Sequence, residues 1–103
     1  MGLEEELTQA LIDTVDAAKE ESYYPHYFMQ MLSEHGGLET ARRLLAKNDP
    51  QAGLFKLYEI GLLHESLEAV VLRPQFRSLF TEAELMEARR RLDELGYFGK
   101  SAK

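Results

Sequence analysis

The chain has 103 residues, 45% of them hydrophobic and 29% charged, a formal charge of -6, and no cysteine or tryptophan. That describes one small domain held by a hydrophobic core, and it excludes disulfides, thiolate zinc sites and a cysteine nucleophile. No run approaches the roughly 20 consecutive apolar residues of a membrane span. The acidic opening from Met1 to Glu6 is the reverse of a signal peptide's basic one, and Glu6 stands where a myristoylation signal wants Ser or Thr. A cytoplasmic protein without a membrane role is expected.

The charge is unevenly placed. Residues 1–22 carry seven acids against the single base Lys19, whereas residues 23–103 hold eleven of each sign. The whole excess therefore belongs to the first segment. The sequence thus reads as an acidic amphipathic helix over 1–22, separable from a neutral helical core over 23–96, with a tail over 97–103.

Apolar residues recur at three- and four-residue steps and no period-two pattern competes, so the expected fold is all-α: a compact bundle of about five to seven short helices with no sheet. The first helix runs from Leu3 to Glu21 with Leu7, Leu11, Val15 and Ala18 on one face. Pro25 suits the first turn of a second helix, which carries Tyr27, Phe28, Met31 and Leu32 to His35 and stops at Gly36-Gly37 through a left-handed cap. A third, Leu38–Lys47, turns Leu38, Ala41, Leu44 and Leu45 inward. Asn48-Asp49-Pro50 starts a fourth, which buries Leu54, Leu57, Tyr58 and Phe55 and closes at Gly61.

Ser66–Arg73 forms a short apolar helix with Glu68 directed outward, and Pro74 breaks it. One turn through Phe76 and Leu79 follows. Thr81 and Glu84 then stand in the spacing of a capping box, opening a last helix over Glu82–Leu95 that buries Leu85, Ala88, Leu92 and Leu95. Glu87 with Arg91 and Arg90 with Glu94 are opposite-charge pairs four residues apart, expected on its exposed face. Tyr97 and Phe98 are expected to fold back onto the core.

The chemistry-bearing residues form no catalytic constellation, and neither a cofactor nor a metal is expected. His26 and His35 lie about 13 Å apart along one helix, too far to share an ion, and His64 belongs to no zinc motif. Gly36-Gly37 before a helix offers anion-binding N–H groups only if it is more than a turn. There is no nucleophile elbow and no phosphate loop. The segment around Gly61 is no helix-turn-helix, because Ser66–Arg73 is too apolar to lie in a groove of DNA.

Four aromatic residues crowd into the run Tyr23, Tyr24, Tyr27 and Phe28. Helical spacing assigns Phe28 and Tyr24 to the core and leaves Tyr23 and Tyr27 at an exposed edge. Tyr23 and Tyr27, with Asp13 and Asp16 of the first helix, are the candidate partner-binding residues. Arg42, Arg43, Arg89 and Arg90 are candidate anion-binding residues if folding gathers them into one patch.

The ordered set Tyr24-Pro25, Phe28, Met31-Leu32, Gly36-Gly37, Glu39, Ala41, Leu44-Leu45, Gly53, Leu57, Gly61, Glu68-Ala69-Val70-Val71-Leu72, Phe76, Leu79-Phe80-Thr81 and Glu84-Leu85 resembles a small helical module found in many bacterial proteins of unassigned function. The resemblance spans roughly residues 5–97 and implies the helical fold, with no activity, cofactor or catalytic residue. His64 and Glu65 depart from that pattern. Glu68, between apolar neighbours, is a candidate buried structural acid that pairs with Arg73 or Arg77.

The first expectation for function is a non-catalytic interaction module that binds a protein partner or its own copy through the first helix and the Tyr23/Tyr27 edge. The second is a nucleic-acid-associated module using its arginines. A small hydrolase comes third and requires an apolar pocket that holds Glu68 beside a histidine.

Overall fold

The computed structural model describes residues 2–47 and 52–99. The chain is all-α: among the described residues there are helices α1 (Leu3–Glu20), α2 (His26–Leu45), α3 (Ala52–Glu59), α4 (Leu67–Val71) and α5 (Glu82–Glu94), with 3-10 turns at Leu63–Glu65 and Pro74–Leu79, and no strand. None of these helices is long and apolar enough to cross a membrane.

The first helix forms with its predicted face. Leu7, Leu11, Val15 and Ala18 are buried and α1 packs chiefly against α2, then α4. It contributes Leu7 and Leu11 to the main core. All seven acids of this segment are exposed, so the charge faces water while the apolar stripe is closed. Thr14, also buried, donates its hydroxyl to the Glu65 carbonyl at 2.6 Å and ties α1 to the turn before α4.

α1 ends one residue earlier than expected, in a Schellman arrangement: the N–H of Tyr23 reaches the carbonyl of Ala18 and that of Ser22 the carbonyl of Lys19. The left-handed position is Ser22, at φ 65°, where glycine is usual.

The expected second and third helices meet at a kink within α2, and the break falls at Gly36 as expected. Gly36 alone leaves helical geometry, at φ 79° and ψ 174°, an extended conformation open to glycine and not the expected left-handed cap. Gly37 re-enters the helix because α1 is there to receive it. Its N–H donates to the Thr8 hydroxyl at 2.9 Å, and a Cβ on it would lie 2.7 Å from the Thr8 Cα.

Two further expectations need correction. Phe55 and Tyr58 are half-exposed, because the eight-residue α3 presents only Leu54 and Leu57 to the core; the two rings turn outward and pack on each other at 5.8 Å. Tyr97 and Phe98 do not return to the core: they meet edge to face at 5.2 Å on the outer surface, where the Arg89 guanidinium lies 5.3 Å from the Phe98 ring. The start signal Asn48-Asp49-Pro50 lies outside the described residues.

α4 is shorter than predicted, with Ser66 as its N-cap accepting from the Ala69 N–H at 3.1 Å. The Thr81–Glu84 capping box opens α5, its two bonds at 3.1 and 2.8 Å. The main core joins Leu7, Leu11, Ala41, Leu45, Val70, Val71, Phe76, Phe80 and Ala88, and a smaller cluster of Leu54, Leu63 and Leu92 sits under α3.

Candidate functional site

The Schellman turn at Ser22 throws the chain across the end of α1, so the aromatic run passes through extended backbone at Pro25 before α2 begins. Between this run, the C-terminal half of α1, the end of α2 and the inner face of α3 lies a groove of about 470 Å³. Its walls are Thr14 and Ala18 of α1, the whole stretch from Tyr23 to Phe28, Leu44 and Lys47 of the α2 end, and Gly53, Leu54 and Leu57 of α3. Leu67 and Glu68 of α4 complete it.

The tyrosines are placed differently from the helical-spacing expectation. Tyr24 is 52% exposed instead of buried and Tyr23 is half-buried instead of exposed, while Tyr27 is 62% exposed as expected and Phe28 half-buried. Tyr24 precedes the helix, so the four-residue spacing to Phe28 does not govern it. Its ring stacks on His26 at 6.3 Å. Burial pushes the Tyr23 phenol above its ordinary pKa.

Two lysines border the tyrosines. The Lys47 ammonium lies 5.9 Å from the Tyr27 ring centroid and the Lys56 ammonium 6.0 Å from that of Tyr23, both at the distance of cation–π contact.

Glu68 faces inward, at 3% exposure: it is buried, as the structural-acid reading has it, and does not take the outward direction read from the helix pattern. Its partner is neither Arg73 nor Arg77 but Arg91 of α5, whose Nη1 donates to the Glu68 Oε2 at 3.0 Å. Arg91 is itself only 5% exposed. Its Nε donates to Glu87 at 2.6 Å, and its Nη2 donates to the carbonyls of Lys47 at 2.8 Å and Leu45 at 3.3 Å. One guanidinium thus joins α4 and α5 and caps the end of α2. Burial pushes the Glu68 carboxyl above the usual carboxylate range, opposed by its own backbone N–H and by Arg91. Hydrogen bonds from Arg90, with Arg91, hold Glu87 down at about 2.

Three of the four candidate anion-binding arginines already have oxygen partners, and the fourth, Arg89, lies over the Phe98 ring. Arg43 meets Glu39 at 2.8 Å, Arg90 bridges Glu87 and Glu94 at 2.7 and 2.6 Å, and Arg42 donates to the Leu79 carbonyl at 3.0 Å with Glu84 at 3.9 Å. Asp13 and Asp16 are exposed, on the side of α1 away from the core, and Asp13 accepts from Gln9 at 3.0 Å.

Glu68 and His26 line the same groove, as the hydrolase expectation required, but the carboxylate is committed to Arg91 and is no free base. Among the described residues no group of three His, Cys, Asp or Glu side chains is placed to hold a metal.

Sequence reasoning missed the roles of Lys47 and Gly53, and it paired Arg91 with Glu87 correctly but placed it on the exposed face, where the structure buries it. A signal for Arg91 was present: it sits three residues after Ala88 and one before Leu92, at the edge of the buried stripe of α5. Lys47 and Gly53 become neighbours of the aromatic run only through the tertiary fold.

The fold and groove define a small all-α domain with an aromatic-walled cleft above a buried ion pair. Compared with known proteins, no family model, curated protein or solved structure matches the chain.

Proposed function

We propose that the protein is a non-catalytic helical interaction module, working in the cytoplasm, that docks a segment of a partner protein along the groove between the Tyr23–Phe28 run and α3. The observation that carries this reading is the 470 Å³ groove itself, whose apolar interior is fronted by Tyr24 and Tyr27, each more than half exposed. Large amphipathic rings over a cavity of this size supply the anchoring area that interfaces concentrate in a few residues. The outward acids of α1, Asp13 and Asp16 among them, favour a partner with basic residues beside its apolar anchor. A second copy of the chain is the alternative occupant.

The nucleic-acid reading draws less support, because phosphate contacts by Arg43 and Arg90 would compete with carboxylates at 2.6–2.8 Å. In affinity capture from the source organism's lysate, Tyr27→Asp should lose proteins that the unmodified chain retains, with helicity by circular dichroism unchanged. Asp13→Lys with Asp16→Lys should weaken the same capture and make it less salt-sensitive. An identical retained set for all three would overturn the reading, as would an empty set for the unmodified chain with no self-association by sedimentation.

A further inference from the structure

The molecule divides into two parts joined at one residue. Residues 3–35, which are α1 and the first half of α2, form an antiparallel hairpin, and the rest of the described chain follows from Gly37. That second part is cross-linked by charge: Arg91 of α5 holds Glu68 of α4 and the carbonyls of Leu45 and Lys47, and Arg42 of α2 holds the Leu79 carbonyl. Among the described residues no ion pair joins it to the hairpin. Apart from the backbone of α2 itself, the hairpin is held by apolar packing, with Leu7 and Leu11 in one cluster with Ala41, Leu45, Val70 and Val71, and by the bonds from Thr14 to Glu65 and from Gly37 to Thr8. The joint has no loop. Gly36 alone separates the two helical stretches, at φ 79° and ψ 174°, angles that an L side chain rarely adopts although a Cβ there would meet nothing within 4 Å.

We propose that Gly36 is a hinge through which the hairpin is exchanged between two copies of the chain. In the exchanged form Gly36 takes helical angles and α2 runs unbroken from His26 to Leu45, about 30 Å at 1.5 Å per residue. Leu7 and Leu11 of each copy then fill the core of the other, and Thr14 bonds the partner's Glu65. The packing is the same in both forms, so the hinge sets the balance between them. A connection of one residue that must turn sharply favours exchange, and a glycine, free to take either conformation, keeps the closed form accessible. The groove keeps both its walls, Tyr23 to Phe28 from one copy and Leu44, Leu54 and Leu57 from the other. The proposal goes beyond groove docking, and neither depends on the other.

Gly36→Ala tests the hinge, because alanine penalises the bend and favours the unbroken helix. By sedimentation velocity of the full chain, this variant is expected to dimerise with a dissociation constant about tenfold or more below that of the unmodified protein. In dimers refolded from equal amounts of isotope-labelled and unlabelled chain, isotope-filtered NOEs should connect Thr14 of one copy to Ser66 of the other. A folded monomer of Gly36→Ala would overturn the proposal, as would a dimer in which the contacts of Thr14 stay within one chain. Should the variant not fold, the unmodified chain decides. Refolded from urea at millimolar concentration, it is expected to yield a dimer with the same inter-chain contacts that persists on dilution, because return to monomer requires each hairpin to leave the core it fills. Absence of that dimer would overturn the hinge. None of these readouts involves Tyr27, whereas the docking reading stands or falls on the Tyr27→Asp capture, so the two failures are told apart.

Discussion

The two ends of the antiparallel α1–α2 pair are built to opposite purposes. Near the start of α1 the helices close until Gly37 rests on Thr8, where a Cβ would lie 2.7 Å from the Thr8 Cα. At the other end the chain places Tyr23, Tyr24, Tyr27 and Phe28 where the helices turn, and the large rings border a groove instead of sealing it. The contrast teaches that helix pairing is set by residue size at a few positions. Small residues close one end into core, and aromatic ones leave the other with a surface for something else.

The largest break in this contrast comes from beneath the groove. Arg91→Met leaves Glu68 buried without its counter-charge and frees the carbonyls of Leu45 and Lys47, and is expected to cost about 3–5 kcal/mol by urea denaturation. Replacing Glu68 by Leu in the same protein should recover much of that loss, since the stranded charge dominates it. The closed end responds next. Gly37→Ala forces the helices apart at a contact of 2.7 Å with backbone that has nowhere to move, and is expected to cost about 1–3 kcal/mol.

Acid should loosen the α5 network in a defined window. Glu87 sits at about 2 in the folded protein against an ordinary 4.5, so its stabilisation is complete above the ordinary value and is lost as pH falls towards 2. Glu68 acts with opposite sign, because its raised pKa favours the protonated form in the folded state. The gap in melting temperature between the unmodified protein and Glu87→Gln should therefore be present at pH 7 and shrink by pH 3. The smallest effect is expected at the turn that feeds the groove. Ser22→Gly relieves a left-handed serine at φ 65° and should add about 1 kcal/mol or less of stability.

The fold class was legible because the 3.6-residue period is strong in α1 and α5, and because Thr81 and Glu84 announce a helix start chemically. The break at Gly36 was legible, but the contact that receives Gly37 was not, since Thr8 lies on α1, 29 residues away. Ser22 was invisible as a helix terminator because nothing local distinguishes it from other serines; its left-handed geometry is imposed by the bonds to Ala18 and Lys19. Of the site, the aromatic run stood out in the sequence, but the opposite wall did not. Leu44, Lys47, Gly53 and Leu54 face that run only after α2 and α3 have packed. Glu68 was recognisable as anomalous, yet its partner lies 23 residues away on another helix, beyond any spacing rule.

The central claim is that the groove, and not exposed apolar surface in general, is where this protein meets its partner. Tyr27 and Met86 provide a matched pair, each 62% exposed, one at the groove and the other on α5. A photo-crosslinking phenylalanine derivative placed at either position and irradiated in cells of the source organism compares the two directly. The account predicts a discrete adduct from position 27 that disappears with the Asp13→Lys and Asp16→Lys changes, and none from position 86. Adducts of equal yield at both positions, or at 86 alone, would contradict it.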